Sequence, residues 1–359
     1  MRIATNTILR NYSANLSKSA ANLEASRTKV ATRRNFNKVS ESPSGSTKAF
    51  QLRRDFIRNE DHLENIKMAQ GKFTSIETGI SQVSKMAEQI NADILTGING
   101  TTSKEQREAI AQGFDKMKES MLLSMNAKDG DKFVFGGSNT TQTPLKMGAD
   151  NELFYFVKMD ETDPTKAIYV NVRTGMGEDG NPLKDKDGNL IPGETLLKNL
   201  ANEKLYMDTG FGLQLDEKGD VVDGTAFNTS YPAMDLISFG QIADDQPKNI
   251  ISIVGKLAVE FRKDSMDTEQ VEKMVQSFTE ARNKIIDKMT SVGTMSNFLE
   301  ITEERLIDNR INLNTKIVNI ENVDMEQAIT EFEFAKYAYS AALKVGTSIL
   351  QPSFIDFMR

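Results

Sequence analysis

Residues 271–320 read VEKMVQSFTE ARNKIIDKMT SVGTMSNFLE ITEERLIDNR INLNTKIVNI. Stepping by seven from Val271 meets Phe278, Ile285, Val292, Leu299, Leu306, Leu313 and Ile320 without a polar interruption. An apolar repeat of seven sustained this long belongs to a helix whose seam faces partner helices. The companion line is looser, with Met274, Ala281, Met289, Met295 and Ile317 set among polar residues. At about 1.5 Å per residue the stretch predicts a helix on the order of 75 Å long, which is a rod. Asp267, followed by Gln270, supplies a capping-box-like start for it.

Working outward, Asp324 with Gln327 marks a second helix start. From it Met325, Ile329, Phe332, Tyr339, Leu343, Gly346 and Leu350 follow three- and four-residue spacing, with Lys336 as the polar member and alanines crowding the neighbouring positions. No proline interrupts residues 248–351. At the other end of the chain Leu9, Tyr12, Leu16, Ser19, Leu23, Ser26 and Val30 form a thin, single-sided stripe. Residues 31–46 lose that pattern and gain turn formers, among them Asn35, Asn37, Ser40, Ser42, Pro43 and Gly45, so they read as a linker. Helical spacing resumes through Leu52, Phe56, Leu63, Ile66, Phe73, Ile76, Ile80, Val83, Ile90 and Ile94 and ends at Gly97 and Gly100. A capping box, Ser103 to Gln106, opens a third helix carrying Ile110, Phe114, Met117, Met121 and Met125.

Between residues 129 and 247 lie 14 of the 23 glycines and 6 of the 8 prolines, with short apolar runs at 154–157 and 168–172. Asp179-Gly180, Asp187-Gly188 and Asp223-Gly224 offer positive-φ turns between short strands. The predicted fold class is mainly α with a β-rich insertion: a long antiparallel helical coiled-coil rod from both chain ends, with the β-rich domain between them. Residues 1–35 and 322–359 are expected to form a terminal helical pair, an inner assembly domain. Residues 46–127 and 250–320 are expected to form the rod, and residues 129–247 an outer domain. The expected rod core is Phe73, Ile80 and Ile90 with Val271, Phe278, Ile285, Val292, Leu299, Leu306, Leu313 and Ile320. The expected assembly stripes are Leu9, Tyr12, Leu16, Leu23 and Val30 at the N-terminus, and Ile329, Phe332, Tyr339, Leu343 and Leu350 at the C-terminus.

Composition agrees with long helices: over 359 residues, hydrophobic residues make up 38% and aromatics 7%, with no Trp, which suits narrow apolar stripes better than a thick core. The net charge of −7 has the wrong sign for a general nucleic-acid or anionic-membrane binder. Its distribution says more. Residues 1–58 hold 12 Lys or Arg against 3 Asp or Glu, and residues 321–359 hold 3 basic against 6 acidic. The two ends are complementary, so Arg27, Lys29, Arg33, Arg34, Lys38, Arg53, Arg54 and Arg58 read as pairing partners ahead of a nucleic-acid arm. No window approaches the about 18 apolar residues of a membrane span, and the N-terminal stretch lacks the apolar run of a secretory signal, so membrane insertion is not expected and any export takes another route.

The absence of Cys excludes disulfides and thiolate chemistry, and the only histidine, His62, excludes Ser-His-Asp, Cys-His and HExxH arrangements by inventory, with a solvated helical side chain as its expected role. Asp185, Asp187 and Gly188 invite a calcium loop, with Glu194 in its last ligand position, but Leu183 stands where the first ligand belongs. Gly136-Gly137 lacks the Lys-Ser/Thr ending of a phosphate loop and reads as a strand end. No cofactor, metal or catalytic residue is expected. An enzyme or binding domain displayed on a helical stalk, the alternative class, would need a convergent polar pocket within residues 129–247.

Helical ends around a variable β insert resemble the bacterial flagellin family. Met1-Arg2-Ile3 with Asn6 is similar to the family's opening, and residues 30–45 are similar to its linker signature LSTGKRINSPSDDPAGA, with Arg33 where the signature has its first Gly, Val39 for a Pro and Ser42 for an Asp. Two motifs resemble the hook–filament junction members of that family: Gly130-Asp131-Lys132-Phe133-Val134-Phe135-Gly136-Gly137 with Pro144 downstream, and Ser353-Phe354-Ile355-Asp356-Phe357-Met358. The resemblance implies a non-enzymatic structural subunit of the extracellular flagellum, exported by the type III route without a cleavable signal peptide. It further implies self-assembly as a ring or tube, contacts with a neighbouring hook-junction protein and flagellin, and an export chaperone. A filament-forming flagellin is the alternative within the family. Stripes this thin are expected to gain their core on assembly, so the terminal helices should be poorly ordered and readily proteolysed in the free monomer, and Leu343→Asp is expected to block assembly.

Overall fold

The computed structural model of the chain describes residues 2–99, 102–160, 166–184, 188–210, 212, 214–217, 219–222, 225–242 and 246–350. The readings made on Met1, Gly100, Asp185, Asp187, Asp223-Gly224 and residues 353–358 lie outside them, as does the side chain of Leu350. The chain divides into two compact units, one of residues 1–61 with 306–359 and one of residues 62–305. The helices are α1 (Arg2–Thr32), α2 (Pro43–Ile98), α3 (Lys104–Met125), α4 (Gly193–Ala201), α5 (Ala233–Ile237), α6 (Ile250–Arg262), α7 (Thr268–Glu321) and α8 (Met325–Leu350).

Their starts follow the capping chemistry of the sequence. Ser103 accepts from the Gln106 N–H while Gln106 accepts from the Ser103 N–H, a complete capping box for α3. Asp267 accepts from the Gln270 N–H at 3.2 Å ahead of α7, Asp324 from those of Glu326 and Gln327 at α8, and Asn249 from Ser252 at α6.

Within residues 62–305, α2 and α7 run antiparallel: Gln70 donates to Glu303 at 2.8 Å, and Glu77 lies beside Gly293. On α2, Ile66, Phe73, Ile76, Ile80, Ile90 and Ile94 are fully buried; on α7, Val271, Phe278, Ile285, Val292 and Leu299 are. The companion line is selective. Met274 and Ala281 are buried, Met289 and Met295 are 39% and 40% exposed, and the uncharged polar Thr302 is buried instead, with its hydroxyl donating to the Phe298 carbonyl. A polar side chain can occupy that line because the helix's own carbonyl satisfies it.

The region between α3 and α6 is held by short pieces. β1 (Lys128–Asp129) and β2 (Lys132–Phe133) form a tight hairpin over Gly130, whose φ is 59°, and β3 (Leu145–Met147), β4 (Leu153–Met159) and β5 (Ala167–Asn171) form an antiparallel sheet with an irregularity between Phe156 and Lys158. β6 (Tyr206–Met207) pairs with β7 (Phe227–Asn228). The helices α4 and α5 stand among these strands, α4 burying Leu196, Leu197 and Leu200 at helical spacing. Glycine and proline interrupt the other apolar runs before they reach helix length. The return strand is clamped between the long helices: Phe227 meets Phe73 of α2 at 5.2 Å and stacks on Phe298 of α7 at 5.9 Å, and Tyr231 meets Phe73 edge-on at 5.3 Å.

α3 packs on α6 through Phe114 and Phe261, 5.3 Å apart, and a Cβ at Gly97 of α2 would sit 2.3 Å from the Phe261 ring, so this position has room for glycine alone. Arg262 of α6 reaches Asp115 at 2.5 Å and Glu108 at 3.3 Å on α3. Burial pushes the Asp115 carboxyl up, but hydrogen bonds from Arg262 and Lys118 outweigh it and hold the group below the usual carboxylate range.

Two outcomes are expected. Leu299→Ala, which empties a fully buried position of the α7 seam, destabilises residues 62–305 by about 2–5 kcal/mol in urea unfolding followed by circular dichroism. Because the Asp115 pKa is depressed on folding, its stabilising contribution is complete above the unfolded pKa of about 3.9 and disappears as pH falls through the lower folded value. Arg262→Ala removes the Arg262 share of that dependence and leaves the Lys118 share, so the gap in urea midpoint between the two proteins narrows as the pH is taken below about 4.

Candidate assembly surface

The other unit is built where the two chain ends meet. α1 ends at Thr32, and Arg33 takes a left-handed φ of 57°. This conformation is the one a helix C-terminus usually gives to glycine, and it falls at the position where the linker signature has Gly. Arg34 bridges Asn322, the Asn35 N–H donates to the Glu321 carbonyl at 2.7 Å, and the Val323 N–H donates to that of Arg33 at 3.1 Å. The exit of α1 and the break between α7 and α8 are thereby stapled backbone to backbone. Arg53 of α2 holds Glu321 at 2.5 Å, and Arg310 faces Glu60 at 3.4 Å, so these stretches of α2 and α7 also run antiparallel. Leu306 and Leu313 are buried here and Ile320 is half-buried.

α1 packs along α8. On α1 Leu9, Tyr12, Leu16, Ser19, Leu23, Ser26 and Val30 are half-buried, as are Ala20, Thr28 and Lys29. On α8 the contact face departs from the expected stripe: Ala328 is 1% exposed, Gly346 is buried, Phe332, Ala335, Tyr339 and Ala342 are half-buried, and Ile329 and Leu343 are 48% and 43% exposed. Ile329 and Leu343 thus lie at the margin of the face that packs on α1. The reason is steric. Ala328, Ala335 and Ala342 recur every seven residues and end beside Gly346, so α1 can approach that face closely, and the larger residues are displaced to its margin. Tyr12 fills the space over the glycine, its hydroxyl donating to the Ala342 carbonyl at 3.1 Å, and a Cβ at residue 346 would stand 1.9 Å from that hydroxyl oxygen. The missed signal was the alanine repeat, which carries little hydropathy.

A second apolar face lies on the opposite side of α8, where Phe334, Tyr337 and Val345 are 69%, 76% and 53% exposed. Single exposed apolar residues are ordinary, but three on one helical face form a patch. The basic N-terminal residues are partly spent on the acidic end: Lys29 pairs with Glu331 at 3.6 Å and Arg53 with Glu321, while Arg27 and Arg54 pair locally with Glu24 and Asp55. His62, expected as a solvated side chain, is half-buried in the other unit beneath Gly210, whose φ of 84° and absent Cβ let the loop lie on the imidazole. Among the described residues no group of three or more His, Cys, Asp or Glu could hold a metal ion, and no helix is long and apolar enough to cross a membrane.

Paired terminal helices around a strand-containing middle region, with the apolar chemistry in helix faces, define a structural protein that builds by helix packing. The bacterial flagellin N-terminal helical region matches residues 3–140 and the bacterial flagellin C-terminal helical region matches residues 275–353, together more than half of the chain. The chain belongs to the bacterial flagellin family and is a flagellar component. Among solved structures, a flagellar hook-associated protein from Vibrio parahaemolyticus is similar in fold, with a TM-score of 0.55 at 17% identity over 79% of this chain and 100% of that one. FlgL of Bacillus cereus aligns at a TM-score of 0.47 and 12% identity over 75% of this chain and 99% of that one. Flagellar hook associated protein-3 of Legionella pneumophila aligns at 0.47 and 13% over 75% and 98%. No curated protein sequence matches the chain.

Two substitutions test the local geometry. Gly346→Ala is expected to displace Tyr12 and destabilise the α1–α8 pair by about 1–3 kcal/mol, read as lost amide-exchange protection in both helices, with Tyr12→Ala restoring part of it. Arg33→Gly, relieving a left-handed non-glycine residue, is expected to stabilise the same pair by about 1 kcal/mol in the same assay.

Proposed function

We propose that the chain is the subunit that joins hook to filament in the bacterial flagellum, assembling through its terminal helices into a ring or tube of like copies. The observation that carries the assembly reading is the two-sided α8: one face is closed against α1 through Ala328, Ala335, Ala342 and Gly346, and the opposite face leaves Phe334, Tyr337 and Val345 in solvent. A patch of that kind on a helix already packed intramolecularly favours a neighbouring copy as its cover. In this reading residues 1–35 with 322–359 are the inner assembly domain, residues 46–127 with 250–320 the rod, and residues 129–247 the outer domain. The half-buried residues of α1 are the seam, and Ile329 and Leu343 belong to the surface offered to neighbours.

The junction reading rests on the motif at residues 130–137 and the ending at 353–358. The first is a hairpin turn followed by buried Phe133, Val134 and Phe135, with Gly137 at a φ of 65°. The description of the Vibrio parahaemolyticus structure as a hook-associated protein agrees with this reading. Type III export without a cleavable signal, an export chaperone, and contacts with a neighbouring junction protein and with flagellin follow from the same role.

The decisive experiment is immunogold electron microscopy of intact flagella with an antibody to residues 129–247. Gold confined to the hook–filament boundary is the expected outcome, and gold along the filament would make the chain a filament flagellin. In the same cells Tyr337→Asp is expected to abolish filament attachment while the purified variant keeps the parent's thermal midpoint within about 2 °C, because the substituted side chain is 76% exposed.

A further inference from the structure

In the unit of residues 1–61 and 306–359, a pocket of about 130 Å³ opens between the linker segment 34–39 and the first turns of α2. Its volume exceeds the about 30 Å³ of one water and falls short of the about 300–1,000 Å³ of small-molecule sites, which leaves it the size of a single side chain. Phe36, Val39, Ala49 and Phe50 give it apolar walls, and Val39 and Phe50 are 57% and 65% exposed. Ser46 lies in the wall at 3% exposure, and its hydroxyl has no hydrogen-bond partner among the described residues. A buried hydroxyl in that state costs free energy, and the pocket is the side from which a partner can reach it. Arg34, Lys38 and Arg53 line the pocket against Glu321, which Arg53 holds. Glu41, close to Lys38, accepts from the backbone N–H groups of Asn37 and Lys38. The rim is basic.

An occupant must bring an apolar body, a hydroxyl and a negative surround. Of the seven tyrosines of the chain, Tyr337 alone is exposed, at 76%, and a tyrosine ring with its hydroxyl matches apolar walls closed by a serine. The stretch of α8 leading to it is acidic: Asp324, Glu326, Glu331 and Glu333 precede Lys336, the one cation between residues 324 and 337. Tyr337 of the same copy cannot enter. The pocket sits at the staple of Arg34 with Asn322, and Tyr337 lies fifteen residues further on, about 20 Å away along α8 at about 1.5 Å per residue. We infer that the pocket receives Tyr337 of a second copy of this chain, with the phenol hydroxyl on Ser46 Oγ. The inference rests on the proposed reading that a like copy covers the exposed face of α8, and it names the surface that does so. Because the inserted side chain and the pocket belong to different parts of the chain, the contact is head-to-tail and repeats from copy to copy, as a ring or tube requires.

The chain has no Cys, so introduced cysteines report this contact alone. Two differently tagged full-length forms, one Val39→Cys and the other Ala338→Cys, are co-expressed, and isolated flagella are treated with a short bismaleimide. Both positions are exposed, and Tyr337 and Ser46 are left in place. A product carrying both tags is expected, its yield per incorporated copy at least fivefold above that of Leu123→Cys with Ala338→Cys, Leu123 being exposed in the other unit. Adding Tyr337→Ala to the Ala338→Cys form is expected to cut the yield at least fivefold, whereas adding Ile8→Ala, at an exposed position of α1, leaves it within twofold. The inference is overturned by absence of the two-tag product, by a yield equal to that of the Leu123 pair, or by an unchanged yield with Tyr337→Ala. Gold along the filament together with the two-tag product sinks the junction reading and leaves the pairing standing, and gold at the hook–filament boundary without the product does the reverse.

Discussion

An apolar stripe one residue wide cannot be buried by the helix that carries it, and the constraint the whole molecule answers to is that each such stripe must be closed by a stripe from far along the chain. Closure of the N-terminal helix by the C-terminal one, and of α2 by α7, joins residues more than two hundred positions apart, as Arg53 with Glu321 and Gln70 with Glu303 illustrate. A fully buried Phe278 or Leu299 contributes about 1.5–3 kcal/mol, but only once the opposite helix has arrived. Stability in this chain is therefore a property of pairings, and the free energy of each is small enough to leave further surface for partners.

The two faces of α8 are built differently. Alanines at every seventh position and Gly346 give α1 a flat bed with Tyr12 as its single large filler, while the aromatic residues are kept on the far side. Had Phe334 or Tyr337 faced α1, the pair would bury more area and leave less to offer a second copy. The backbone staple at Arg33–Val323 and Arg34–Asn322 fixes where that two-faced helix begins. The family's bland-looking linker thus decides the register of α1 against α8.

The middle region works by a different rule. Its strands are too short to stand alone, and its core is completed by side chains of the long helices, with Phe227 held between Phe73 and Phe298. Loops carried on such a base form a cavity in which Arg173, Lys198, Lys248 and Lys284 stand with Glu194 and Glu280.

By itself the sequence determined whatever is written in neighbouring residues: the seven-residue line from Val271 to Leu313, the caps at Ser103, Asp267 and Asp324, and the turn at Asp179-Gly180, because helix period, capping and positive φ are decided within one or two turns of chain. It also determined the family, through short motifs at both ends. Only the tertiary structure decided which face of α8 meets α1, that Met295 stays in solvent while Thr302 is buried, that His62 lies under Gly210, and that Lys248 and Lys284 share a cavity. The physical reason is common to all four. Alanine and glycine carry almost no hydropathy, and a side chain's burial or charge environment depends on residues tens to hundreds of positions away, so these outcomes arise only when the distant partner closes the space.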